Sequence, residues 1–127
     1  MEPKRKHILI ADDDPDLLIL ARMQLQKEGY DVDLSPNGRA ITQMAKDIRP
    51  ALILLDLTMD GISGDDICRK LKSDKATASI PIVMFSSNDN LETITQSCGA
   101  NGYVKKPFNL QILNEAIGRF LSNQASH

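Results

Sequence analysis

Charged and nucleophilic residues recur in this chain at the points where apolar runs end. HILIA (7–11) runs into Asp12, Asp13 and Asp14, ALILL into Asp56, IPIVMF into Ser86, and NGYVK into Lys106. Like charges on adjacent residues repel, so three successive aspartates need a cation or a structural duty to be tolerated. Three ionised carboxylates brought together raise one another's pKa or recruit a cation. Oxygen-only ligands select a hard divalent ion, most simply Mg²⁺, which keeps several waters and often shares a phosphate. A lysine and a hydroxyl opposite that ion suit the equatorial oxygens of a phosphoryl group, whose transfer depends on positioning and positive charge. A carboxylate can itself be the nucleophile, giving an aspartyl phosphate.

Each piece also has a plainer reading. An acidic pair after a strand is often a solvated loop, and a lone aspartate there is often a helix cap. Ser86 can simply begin a turn, and Lys106 can lie along an apolar surface with its head in water. The joint occurrence, in order, at successive strand ends favours the chemical reading.

The elements that would position these residues follow from periodicity and punctuation. HILIA suits a buried strand. Asp14 stands where an N-cap should, with Pro15 at the first helical position and Asp16 in the first turn. Leu17, Leu18, Ala21 and Leu25 then recur at helical spacing, and Gly29 is a natural stop. YDVDL (30–34) alternates as an edge strand does, and Ser35-Pro36-Asn37-Gly38 reads as a turn. Ala40, Ile41, Met44, Ala45 and Ile48 predict a second helix, ended by Pro50. ALILLD (51–56) is the most apolar strand and therefore central. The loop LTMDGISG leads to a helix with Ile67, Cys68 and Leu71. IPIVMF (80–85) predicts a fourth strand, followed by a helix over 89–98 that Gly99 ends. NGYVK predicts a fifth strand, and the last helix spans 109–121. Five strands alternating with five helices imply a parallel sheet covered on both faces, with right-handed crossovers. Ligands of such sheets bind beyond the carboxyl ends of the strands, the location of every residue singled out above.

With 127 residues the chain has room for one domain, residues 1–127, with a core over about 6–121 and a tail over 122–127 expected to fray. Hydrophobic residues make up 42% and charged ones 25%, as in an ordinary globular domain, but only 4% are aromatic, so the core must be aliphatic. A net charge of −2 and a pI near 5.6 argue against direct nucleic-acid contact. The short basic run Lys4-Arg5-Lys6 reads as a solvated lead-in to the first strand. No apolar stretch reaches the ~20 residues needed to span a bilayer and no signal-peptide pattern is present. Cys68 and Cys98 lack metal-type spacing and read as buried thiols in a reducing, cytoplasmic setting.

ILIADDDPDLL, LILLDLTMDGISG, IPIVMFSS and GANGYVKKPF resemble, in order and spacing, the four signatures of the response-regulator receiver domain, over about residues 6–121. The resemblance implies a flavodoxin-like (βα)5 three-layer sandwich with parallel sheet order 2-1-3-4-5. Asp56 matches the phosphoacceptor. Asp12 and Asp13 match the acidic pair that holds Mg²⁺, with Asp13 favoured as the direct ligand, and the Thr58 carbonyl matches the third protein ligand. Ser86 matches the switch hydroxyl, with Ser87 on the small position after it. Lys106, which directly precedes Pro107, matches the invariant lysine, and the family implies a cis peptide between them. Tyr103 matches the aromatic switch position, and Thr58 and Asn88 fall where the family tunes hydrolysis. In one departure, Asp60 stands where the family usually has proline; this loosens the loop and adds a carboxylate near the site.

The implied function is a phosphorylation switch. A histidine kinase or histidine phosphotransfer protein donates to Asp56, and the face of the fourth helix, fifth strand and fifth helix changes for a downstream protein target. Phosphorylation-dependent dimerisation is compatible with that face. The domain would catalyse only its own phosphorylation and dephosphorylation. His7 begins a strand and His127 is terminal, so neither suits a phosphohistidine donor. A stand-alone regulator and a module of a longer protein both fit these residues. Two rivals are a phosphate-independent interaction domain and an Mg²⁺-dependent hydrolase with Asp56 as nucleophile. The short connections leave the hydrolase no cap insertion.

Overall fold

The computed structural model describes residues 6–35, 37–59, 61–106 and 109–125. Asp60, Pro107 with its expected cis peptide, Pro36, Lys4, Arg5 and the last two residues lie outside that set. Five strands, β1 (His7–Ala11), β2 (Asp31–Ser35), β3 (Leu52–Asp56), β4 (Ile82–Ser86) and β5 (Gly102–Lys105), form one sheet. Its order is β2-β1-β3-β4-β5, and each neighbouring pair is parallel. The helices between and after them are α1 (Pro15–Lys27), α2 (Ile41–Ile48), α3 (Gly64–Ser73), α4 (Leu91–Cys98) and α5 (Leu110–Ala125).

The strand periodicity of two divides the core into two layers. Ile8 and Ile10 of β1, Leu52 and Leu54 of β3, and Val83 and Phe85 of β4 face α1 and α5. Leu9, Ala11, Ile53, Leu55, Ile82 and Met84 face α2, α3 and α4. Residues 52–55 are buried without interruption because β3 is central and covered on both sides. At about 2 kcal/mol for each fully buried aliphatic side chain, these central strands hold the framework. The edge strand β2 is only half-buried over Asp31–Leu34, as its polar alternation requires.

Local signals set the element ends. Asp14 caps α1 by accepting from the Asp16 and Leu17 amides, with Pro15 at the start of the helix. Gly29 and Gly99 take left-handed backbone after α1 and α4. Ahead of Pro50, α2 stops at Arg49, which also adopts left-handed backbone and donates its amide to the Ala45 carbonyl. Both cysteines are free and buried, and the Cys68 thiol donates to the Cys98 carbonyl at 3.4 Å.

Several boundaries differ from the sequence expectation. Asn37 caps a short 3-10 turn over Gly38–Ala40 before α2 begins. The fourth strand starts at Ile82, because Pro81 cannot donate to the ladder. α4 begins at Leu91 instead of residue 89, and α5 continues helically to Ala125, beyond the expected end at 121. Within LTMDGISG, expected as a loop, Thr58–Met59 pairs antiparallel with Ile62–Ser63 in a short hairpin. It is anchored by Met59, which is fully buried.

This hairpin returns the chain so closely to β3 that Gly64 has a defined duty. Its amide donates to the Leu57 carbonyl at 2.6 Å, and a Cβ there would stand 2.2 Å from the backbone oxygen of Asp56. Gly118, inside α5, has nothing within 4 Å of an added Cβ. Two glycine-to-alanine changes should therefore move stability in opposite directions, as read by urea denaturation. Gly64→Ala is expected to cost about 3 kcal/mol through backbone overlap, and Gly118→Ala to add about 0.5–1 kcal/mol through helix propensity. Equal small effects at both sites would remove the steric role given to Gly64.

Candidate functional site

Parallel pairing brings the carboxyl ends of β1, β3, β4 and β5 to one edge. Ile10 pairs with Leu54 and Ala11 with Leu55, so the residues that follow β1 lie beside Asp56. Asp56 in turn pairs with Phe85, which sets Ser86 one step beyond it on the neighbouring strand. Ser86 pairs with Lys105, and the Lys106 amide donates to the Ser86 carbonyl at 2.8 Å. The backbone register alone therefore gathers Asp12, Asp56, Ser86 and Lys106.

The side chains of Asp12, Asp13, Asp56 and Lys106 meet there. One carboxylate oxygen each from Asp12, Asp13 and Asp56 lie within 4.8 Å of one another. Asp12 has no exposed surface, Asp56 is 5% exposed, and Asp13 is exposed at the rim. The Lys106 ammonium donates to Asp12 Oδ2 at 3.0 Å and stands 3.6 Å from Asp56 Oδ2. The second oxygen of Asp12 accepts the Asp14 amide at 2.9 Å. The aspartate triplet thus divides: Asp12 and Asp13 belong to the cluster, and Asp14 caps α1.

Asp56 Oδ1 accepts the Thr58 amide at 3.4 Å. Burial first, and then the neighbouring Asp12 carboxylate, push the Asp56 carboxyl up to about 7, against the opposing pull of Lys106 and the Thr58 amide. Such a carboxyl is near half protonation at neutral pH, and a cation or a covalent partner would relieve it. Oxygen-only donors at this spacing fit a hard divalent ion. The Thr58 backbone, whose carbonyl is the expected third ligand, is held by the pairing of Thr58 with Ser63.

The Ser86 hydroxyl oxygen accepts the Asn88 amide at 3.1 Å, which leaves its proton free to donate elsewhere. Tyr103 lies on β5 with 44% of its surface exposed. Two residues further on, the Lys105 ammonium donates to Asp89 of the β4–α4 loop at 3.2 Å. One contributor escaped the sequence reading. The Phe85 ring lies under the Lys106 ammonium at 5.0 Å, a cation–π contact that helps hold the lysine over the acids. Phe85 appeared in sequence only as an apolar core residue. Its place in register with Asp56 was the signal that could have marked it.

Comparison with known proteins agrees with this geometry. Residues 8–118 match the response regulator receiver domain family. The DNA-binding response regulator MtrA of Mycolicibacterium smegmatis is 36% identical over 110 residues, which are 85% of this chain and 47% of that protein. The chain therefore spans about half the length of that relative, and the name's DNA-binding activity is a statement about that longer protein. Among solved structures, a CheY-like receiver domain protein from Methanospirillum hungatei superposes with a TM-score of 0.88 at 26% identity, covering 97% of this chain and 98% of that one. The receiver domain of sensor histidine kinase PA1611 from Pseudomonas aeruginosa shares the fold, with a TM-score of 0.84 at 24% identity and coverage of 94% and 99%. That neighbour carries a magnesium ion coordinated in its active-site cleft. With its sheet order, its acid cluster and these similarities in agreement, the chain belongs to the response regulator receiver domain family of two-component signalling.

Proposed function

We propose that Asp56 is the phosphoacceptor of a switch that takes its phosphoryl group from a histidine kinase or histidine phosphotransfer protein. The observation that carries this reading is the arrangement of one buried, proton-hungry carboxylate beside a second acid and one lysine, Asp56 with Asp12 and Lys106. An Asp56 oxygen forms a bond to phosphorus while the phosphorus–nitrogen bond of the donor breaks, and the electron pair leaves on the donor imidazole. Lys106 offsets charge on the phosphoryl oxygens. Asp12, Asp13, Asp56 and the Thr58 carbonyl are the residues that would hold Mg²⁺, which supplies charge neutralisation at the equatorial oxygens. The domain acts only on its own phosphorylation and dephosphorylation.

The output follows from Ser86. Its hydroxyl proton turns toward the new phosphoryl oxygens, and space opens for the Tyr103 ring to move inward from its exposed position. α4 suits a shifting element. Its N-cap, Asn90, makes no side-chain cap bond, and the Thr95 hydroxyl is buried without a hydrogen-bond partner among the described residues. Phosphorylation then biases a pre-existing equilibrium at the α4, β5 and α5 face, where a downstream protein or a second copy docks. Thr58 and Asn88, flanking the acceptor and the hydroxyl, are placed to tune hydrolysis.

Two experiments test this reading. Incubation with acetyl phosphate and Mg²⁺, followed by intact mass, should show one added phosphoryl group. The adduct should vanish in Asp56→Asn and with EDTA. An unmodified wild type at saturating donor would sink the proposal. The second experiment uses the raised carboxyl. In the native state Asp56 keeps its proton up to about pH 7, whereas in the unfolded chain it loses it near 3.8. The folded protein thus binds more protons in between, so this group's contribution to stability falls as pH rises from about 4 through about 7. Without divalent ions, the thermal midpoint of the wild type should drop between about pH 5 and pH 8 more than that of Asp56→Asn. Saturating Mg²⁺ should raise the wild-type midpoint and remove the difference in slope. Identical slopes in the two proteins would show that the Asp56 carboxyl is not raised in the folded state.

A further inference from the structure

Phe85 is buried in the layer beneath α1 and α5, and it pairs with Asp56 on one neighbouring strand and Val104 on the other. Residues in register on adjacent strands share a face of the sheet, so the ring and the Asp56 carboxylate lie on the same side. The Lys106 ammonium stands over both, 5.0 Å from the ring centroid and 3.6 Å from Asp56 Oδ2. It also donates to Asp12 Oδ2 at 3.0 Å. Among the described residues, two acids and one ring hold this ammonium.

The two kinds of partner differ once the site is used. Asp56 is esterified in the proposed reaction, and Asp12 and Asp56 are both among the residues that would hold Mg²⁺. Either event draws carboxylate charge away from the lysine when its ammonium must face the phosphoryl oxygens. The Phe85 ring undergoes neither change. Its electron-rich face attracts a cation without carrying a charge that can be neutralised. Nor can the ring swing away, because it is 2% exposed and shares its layer with Val104, Leu113 and Ile117. Lysine has a flexible four-carbon stem, and its rotamer freedom works against one fixed position. A rigid aromatic face beneath the head restricts that freedom. An aliphatic residue at position 85 would fill the same layer but offer no such face.

We propose that Phe85 is a positioning residue for phosphoryl transfer, its ring face keeping the Lys106 ammonium at the acceptor while Asp12 and Asp56 are otherwise engaged. The inference rests on Asp56 being the phosphoacceptor and adds the residue that holds the lysine through the reaction. No bond to Phe85 forms or breaks.

The test replaces Phe85 by 4-fluorophenylalanine and by 3,4,5-trifluorophenylalanine, which keep the ring apolar and close to its shape but draw charge from its face. Phosphorylation by phosphoramidate with Mg²⁺ is followed by intact mass. In that reaction the Asp56 oxygen bonds to phosphorus, the phosphorus–nitrogen bond breaks, and its electron pair leaves on the protonated nitrogen as ammonia. The initial rate should fall stepwise, by about fivefold in the trifluorinated protein, with the thermal midpoint close to that of the wild type. Phe85→Leu should lose about as much, although it stays apolar. A second readout needs no phosphoryl donor. The Phe85 ring current should shift the Lys106 ε-methylene protons upfield in NMR spectra, and that shift should persist when Mg²⁺ is added. Rates that ignore fluorination, or an ε-methylene signal that returns to its ordinary position with Mg²⁺, would overturn the positioning role alone. If the fluorinated proteins do not fold, the response of the wild-type signal to Mg²⁺ decides. An unmodified wild type would overturn the acceptor and the positioning role together.

Discussion

A carboxylate with no exposed surface cannot stand alone, and Asp12 is such a group. Removing an ion from water costs several kcal/mol unless a partner of opposite charge is fixed beside it. That partner is Lys106, 94 residues away in sequence and 3.0 Å away in space. The pair spans the sheet from the end of β1 to the end of β5 and passes Asp56 on the strand between. Lys106 is shared: it stands 3.6 Å from Asp56 and so compensates two acids incompletely. Burial and the Asp12 charge outweigh Lys106 there, and the Asp56 carboxyl is raised. The site is held in a charge conflict that a bound cation would relieve.

The scaffold around that conflict is graded in rigidity. The central strands are buried on both faces, and Asp56 ends the most apolar of them. Immediately after it, the chain turns through a short hairpin anchored by Met59 and returns so tightly that only a glycine fits at position 64. This close return fixes the Thr58 backbone beside Asp56. On the other side of Asp56 the β4–α4 connection is held by lighter contacts, such as the Asn88 amide on Ser86 and the exposed pair of Lys105 with Asp89. An exposed pair of that kind contributes about 0–1 kcal/mol. Asp56 thus stands on a rigid strand next to a more loosely held connection.

Much of this was legible in the sequence, for identifiable reasons. Uninterrupted apolar runs, the Asp14-Pro15 start of α1 and the glycine stops are local signals, and they placed the five strands and five helices. The site residues were legible because they stand where apolar runs end, and a parallel sheet exposes those ends together. What the sequence hid was short or cooperative. The hairpin of Thr58–Met59 with Ile62–Ser63 is too brief for any periodicity. The start of β4 moved because proline cannot join a ladder. The part played by Phe85 emerged only from the register that sets it beside Asp56.

By itself the sequence determined which residues were available for chemistry and at which strand ends they lie, because hydrophobic period and punctuation act over a few residues. It also separated Asp14, a cap, from Asp12 and Asp13. Tertiary structure decided how the charges are shared, because Coulomb interactions and desolvation depend on distance and burial. Folding buried Asp12, gave Lys106 to two acids at once and raised the Asp56 carboxyl to about 7.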